Sequence, residues 1–423
     1  MSVLDDDGTP VTVLSGALGA GKTTTLNHLL TNPGDREIAV LVNDMGAVNV
    51  DAELVEARGD GVTELSNGCI CCDLRDDLEV AVSRLARTGG FDHLVVESSG
   101  ISAPAPVARL FTTGPASAPY RLDTLATVVD ASNFRETLAD DDIVTTEDIR
   151  RKRPGQAETG GEVRPLSDLL VSQAEHADVL LVNKCDLVGE SDTEGTGALL
   201  AALNPDAERY RTTHGQVDAD AVLDTGLFSP ETLSESDHRE RAIDHAEGHG
   251  ADGHGTAVET ADTHGHDHGR EGHVHDPESA YGVTSFAFQS RRPLHPERFL
   301  SYLRSLPDAV IRSKGLAWVA GRDHLALRYT GTGAVRRVIG YEQWVAAMPE
   351  QRRESQRRLR PDLPWDEEVG DRRTELVFIG RGMDEESLRE DLAACELTDE
   401  ELDADFDSFE NPFPEAEGEE LTV

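Results

Sequence analysis

The stretch Gly16-Ala17-Leu18-Gly19-Ala20-Gly21-Lys22-Thr23 lies between the apolar run Val11-Thr12-Val13-Leu14 and the segment Thr24-Thr25-Leu26-Asn27-His28-Leu29-Leu30. A glycine loop that leaves a buried strand and opens a helix is a P-loop, and nothing else in the chain restricts its fold as strongly. Gly16, Gly19 and Gly21, with Ala20 between them, let the backbone curl until several N–H groups point inward at a phosphate. The start of the next helix, at Thr24, adds its partial positive charge. Lys22 is placed to neutralise the β- and γ-phosphates, and the Thr23 hydroxyl to bind Mg²⁺. The chain has only four lysines, so a lysine in this context is not a chance match.

Downstream, strand and helix signals alternate, which predicts an α/β fold: a doubly wound, mostly parallel sheet with helices on its faces. The strands are short apolar runs at Ile38–Val42, Leu94–Val96, Leu125–Val129 and Val179–Val182, with a further strand at Val62–Asn67. Ligands of open α/β sheets bind at the carboxyl ends of strands, and those ends carry polar motifs here. Asn43-Asp44-Met45-Gly46 follows the second strand, where a γ-phosphate-sensing switch is expected, and Asp44 is a catalytic candidate. Glu97-Ser98-Ser99-Gly100 follows the third; Glu97 would stand beside Mg²⁺ and the attacking water, and Gly100 would let an N–H approach the phosphate. Asn183-Lys184-Cys185-Asp186 follows the last of them. The Asp186 carboxylate can accept from both N1–H and the exocyclic amine of guanine, a donor pair adenine lacks, so this motif selects GTP.

Two further centres suit metals. Gly68-Cys69-Ile70-Cys71-Cys72 packs three of the five cysteines together, and Cys69, Cys71 and Cys72 supply two or three thiolates to Zn²⁺ or Co²⁺. From Asp237 to Pro277 the composition shifts to Gly, Asp, Glu and His, with nine of the fifteen histidines. Such a tract cannot bury a core and reads as a flexible linker, in which His264, His266, His268, His273 and His275 collect labile metal ions.

At 423 residues, two folded domains with loose segments are expected. The boundaries are read as a P-loop domain over 1–215 with a mobile insertion at 140–165, the linker over 216–280, a small α+β domain over 281–383, and a mostly disordered acidic tail over 384–423. The net charge of -42, with 35 of 39 basic residues arginine, excludes nucleic acid and anionic membrane as main partners. An acid-rich, lysine-poor chain of this kind resembles halophilic proteins, whose salt screens the self-repulsion. No apolar run is long enough to span a bilayer, and the acidic Met1–Pro10 segment lacks an export pattern, so the cytoplasm is expected.

Taken in order, the five motifs resemble the CobW-like branch of P-loop metallochaperone GTPases. Ile311–Trp318 and Glu375–Gly380 are similar to that family's C-terminal domain. The resemblance implies GTP hydrolysis coupled to loading zinc, or in some members cobalt, into a client metalloprotein, with a homodimer as a further expectation. The family's usual Asn-Glu-Phe-Gly is Asn43-Asp44-Met45-Gly46 here, so a shorter carboxylate carries that role. An activator that inserts cobalt or iron into one enzyme or into a cobalamin pathway stays open, as does a zinc buffer with incidental GTPase activity.

Overall fold

The computed structural model describes residues 8–42, 62–64, 82–87, 89–100, 102–114, 117–139, 166–233, 282–361, 363–403, 406 and 409–423. The chain divides into two compact units, Met1–His238 and Arg239–Val423.

In the first unit, the described strands are β1 (Thr9–Gly16), β2 (Ile38–Val42), β3 (Val62–Glu64), β4 (His93–Glu97), β5 (Tyr120–Asp130), β6 (Val179–Asn183) and β7 (Glu208–Arg211). They form one sheet in the order β3-β2-β4-β1-β5-β6-β7, and every described pairing is parallel. Helices α1 (Lys22–Thr31), α2 (Pro104–Thr112), α3 (Phe134–Ala139), α4 (Leu166–Glu175) and α5 (Glu190–Leu203) follow its strands. Sheets covered on both faces need strands that are apolar without alternation, and Val11, Val13, Leu14, Val95 and Val96 are all fully buried. The parallel sheet expected from the sequence is therefore present, with β1 near its middle. Chain order places β2 and β4 on one side of β1 and β5 and β6 on the other, so the carboxyl ends of β1, β4, β5 and β6 share one edge.

The boundary read at 215 lies too early. Residues 216–233 carry no periodic pattern, yet Val222 and Leu223 are fully buried in the core with Leu14 and Leu26. Thr12 Oγ1 donates to the Val222 carbonyl at 2.9 Å, and the Thr225 and Gly226 N–H groups donate to Asp123 at 2.8 and 3.2 Å. Hydrogen bonds to loop backbone hold this segment, and hydrophobic periodicity does not report them.

The second unit has β8 (Val283–Ser290), β9 (Val310–Ala317), β10 (Leu325–Thr332), β11 (Val335–Gln343), β12 (Thr374–Arg381) and β13 (Glu420–Thr422) in one antiparallel sheet, ordered β13-β11-β10-β9-β12-β8. Helices α6 (Pro296–Ser305), α7 (Glu350–Leu359), α8 (Glu385–Ala393) and α9 (Asp399–Leu402) complete the α+β module. Its core stacks Phe286 on Phe378 at 4.9 Å and Phe299 on Phe413 at 5.6 Å between ring centroids.

The acidic tail differs from its expected disorder. Leu388, Leu392 and Phe413 are buried in that core, β13 adds an edge strand, and Arg322 donates to the carbonyls of Asn411, Phe413 and Pro414. None of the described acids of this stretch is buried, whereas Leu388, Leu392, Leu397 and Phe413 are; Leu402 stays exposed. Among the described residues, no helix is long and apolar enough to cross a membrane.

Candidate nucleotide site

β1 delivers Gly16 opposite Val128 of β5, where an added Cβ would stand 2.3 Å from the Val128 carbonyl oxygen. Gly16 has φ 137° and Gly21 φ 109°, both in the region that favours glycine. A Cβ on Gly21 would meet the Asn183 amide nitrogen at 2.3 Å, and one on Gly100 would meet the Leu18 backbone nitrogen at 2.6 Å. The loop therefore closes tightly between the ends of β4 and β6 and has no room for side chains there. Ala20 is buried, while Gly19 and Thr24 are exposed at the mouth.

Lys22 opens α1 and folds back, its ammonium donating to the carbonyls of Gly16 at 2.9 Å and Ala17 at 3.0 Å. One residue on, Thr23 Oγ1 donates to Glu97 Oε1 at 2.9 Å. Glu97 is in register with Leu14 on one side and Val42 on the other, which fixes it beside the loop. An ammonium at a helix start receives anions, and a hydroxyl paired with a carboxylate is an oxygen set suited to a hard cation such as Mg²⁺.

Asn183 ties the two ends of the site together. Its amide donates to the Ala20 carbonyl at 2.9 Å, while its side-chain oxygen accepts from Thr212 Oγ1 at 3.1 Å and Gly215 N–H at 3.0 Å. Lys184 takes a left-handed φ of 63°, a 3₁₀ turn over Cys185–Leu187 follows, and Asp186 stands at the sheet edge 3.9 Å from His214 Nε2. The structure thus brings together Gly16, Gly19, Ala20, Gly21, Lys22, Thr23, Thr24, Glu97, Gly100, Asn183, Lys184 and Asp186 on one edge. Asp44, Cys69, Cys71, Cys72, His264, His266, His268, His273, His275 and the 140–165 insertion lie outside the described residues. Among the described residues, no group of three or more His, Cys, Asp or Glu is arranged to hold a metal ion.

Two further residues complete this edge. Asp130 ends β5 in register with Asn183 and accepts from Lys184 Nζ at 2.6 Å. Burial pushes its carboxyl up, and hydrogen bonds from Lys184 and Ser132 outweigh that, so it sits below its ordinary value. Its signal was available, because it closes an apolar strand just as Glu97 and Asn183 do. Gln173 of α4 is 1% exposed and donates to the Ser102 carbonyl at 3.1 Å, bracing the loop after Glu97. It lies 71 residues from that loop in sequence, and no local pattern announces it.

A glycine loop after β1, a carboxylate ending β4 and Asn-Lys-Cys-Asp ending β6, on an all-parallel sheet, define a P-loop nucleotide-binding protein. Residues 10–211 match the family described as CobW/HypB/UreG, nucleotide-binding domain, and residues 283–396 match the cobalamin synthesis protein cobW C-terminal domain. The chain belongs to the CobW family. It is 36% identical over 418 residues to the zinc-regulated GTPase metalloprotein activator 1 of Dictyostelium discoideum, covering 93% of this chain and 81% of that protein. It is 28% identical to a zinc chaperone CobW of Sinorhizobium sp, over 74% of this chain and 82% of the relative. The solved structure of Zn(II)-bound YjiA GTPase from E. coli aligns with 92% of this chain and 99% of its own at 21% identity and a TM-score of 0.35.

Proposed function

We propose that the protein is a cytoplasmic GTPase that holds a transition metal, zinc, at Cys69, Cys71 and Cys72 and passes it to a client metalloprotein according to its nucleotide state. The observation that carries the reading is the single sheet edge on which Lys22, the Thr23–Glu97 pair and Asp186 gather. The name of the Sinorhizobium relative, a zinc chaperone, supports zinc as the cargo, and that of the Dictyostelium relative supports a GTPase that activates a metalloprotein.

The chemistry follows from the donor set. Lys22 exchanges the Gly16 and Ala17 carbonyls for phosphate oxygens, so its charge meets the negative charge that spreads over the transferring phosphoryl group. The P-loop amides hold the same oxygens. Thr23 with Glu97 nearby would hold Mg²⁺, which when bound would supply positive charge to offset that of the phosphates. Glu97 and Asp44 orient water, and Asp186 reads guanine. Support for coupling to the metal comes from chain order: β3 ends at Glu64, in register with Val42, which pairs with Glu97. The chain thus leaves the nucleotide edge of the sheet five residues before Cys69.

The test measures phosphate release from GTP and ATP, and bound zinc in the presence of GTP and of GDP. Turnover confined to GTP, with zinc retained in one nucleotide state and released in the other, is expected. Asp186→Asn should raise the KM for GTP about tenfold or more through lost charge-assisted hydrogen bonds. Equal turnover of ATP and GTP would overturn the guanine assignment. Zinc occupancy indifferent to nucleotide would make the protein a zinc buffer.

A further inference from the structure

We propose that Asp130 is a positioning residue for base selection: it holds Lys184, and through Lys184 the turn that presents Asp186. The proposal rests on the guanine reading above. The two oxygens of the Asp130 carboxylate have separate tasks. Oδ1 accepts from the Ser132 N–H at 3.0 Å and the Ser132 hydroxyl at 2.6 Å, a local turn that fixes the plane of the group. Oδ2 accepts from Lys184 Nζ at 2.6 Å, with the Asn133 amide at 3.3 Å. The backbone adds a second tie, since the Ala131 N–H donates to the Asn183 carbonyl at 2.9 Å.

Lys184 needs such a hold. A residue with a Cβ rarely takes a φ of 63°, and this one begins the 3₁₀ turn that carries Asp186. The pair is largely withdrawn from water, with side-chain exposures of 11% for Asp130 and 29% for Lys184. An ion pair in that setting resists separation, and removing one charge strands the other. Asp130 stands two strands from β4 and its Glu97, so its effect falls on the base and not on phosphate chemistry.

The experiment measures binding of fluorescent GDP, IDP and ADP to the full-length protein and to Asp130→Asn and Lys184→Met variants. Asparagine keeps the size and an oxygen for Ser132 but no charge for Lys184. GDP affinity in Asp130→Asn should fall about tenfold to a hundredfold while ADP affinity is unchanged. IDP lacks the exocyclic amine, so the GDP-over-IDP preference of the wild type should shrink in the variant as Asp186 loses its aim. Lys184→Met should show the same narrowing, and the double variant should be no worse than the poorer single one, because one interaction is removed either way. If Asp130→Asn does not fold, the Lys184→Met arm decides alone. A wild-type base preference that survives intact in these variants overturns the role of Asp130 and leaves the guanine reading standing. Equal GDP and ADP affinity in the wild type overturns both.

Discussion

Lys22 is 7% exposed, and its ammonium already has two carbonyl acceptors within the loop. Replacing it therefore removes a charge from an anion cradle without opening a core, because the loop's shape comes from Gly16, Gly21 and the Asn183 bridge to Ala20. Lys22→Ala should lower GTP turnover by about a hundredfold or more, as loss of a transition-state charge partner does. Its melting temperature should stay within a few degrees of the parent. Phosphate release and a thermal melt on the same preparation check this; turnover within twofold of the parent would remove Lys22 from the chemistry.

At the scale of elements, α9 shows how a segment read as loose acidic tail is fixed. Thr398 and Glu401 form a capping box, and Arg298 of α6 donates to both Glu401 oxygens at 2.8 Å. Those Arg298 bonds first, and the Thr398 backbone N–H second, pull the Glu401 carboxyl down to about 2 from 4.5. A depressed folded-state value means the carboxylate's contribution is present above about 4.5 and fades as the pH falls toward about 2. Glu401→Gln should thus lower the denaturation midpoint of the C-terminal domain at neutral pH and match the parent near pH 2, read from denaturant titrations across that range. A difference that is the same at every pH would mean packing, and not charge, is at stake. Phe413, 2% exposed, is the apolar counterpart of this tie, and Phe413→Ala should cost about 3–5 kcal/mol.

Legibility also divides by element. Apolar runs such as Ile38–Val42 and Val179–Val182 read as strands because both faces are covered and every side chain must be apolar. β7, Glu-Arg-Tyr-Arg at the sheet edge, has an exposed polar sequence that says nothing of pairing, and β13 is a three-residue edge strand paired with β11 that packs Leu421 against the core.

For the whole molecule, the two stretches proposed to bind metal would share the work. Thiolates at Cys69, Cys71 and Cys72 favour one tight ion, whereas neutral imidazoles from His264 to His275 favour several weak ones released near the ordinary imidazole value of about 6.5. Deleting Asp237–Pro277 should leave GTP turnover and the tight ion nearly unchanged and reduce total zinc capacity. The Cys71→Ser, Cys72→Ser double variant should lose the tight ion instead. Competition with a chromophoric chelator separates the two; a tight ion that survives the cysteine changes but not the deletion would reverse the assignment.

The sequence alone determined the parallel sheet, the phosphate loop and the order of the motifs on it, because each depends on contiguous residues: an apolar run long enough for a strand, or glycines at the spacing a backbone curl requires. Tertiary structure decided which side chains meet. Asn183 reaches the P-loop across 163 residues, Asp130 holds Lys184 across 54, and Thr12 fastens the segment after 215 across 210. Such pairs leave no local trace, since a hydrogen bond between distant residues asks only that the fold bring a donor to an acceptor.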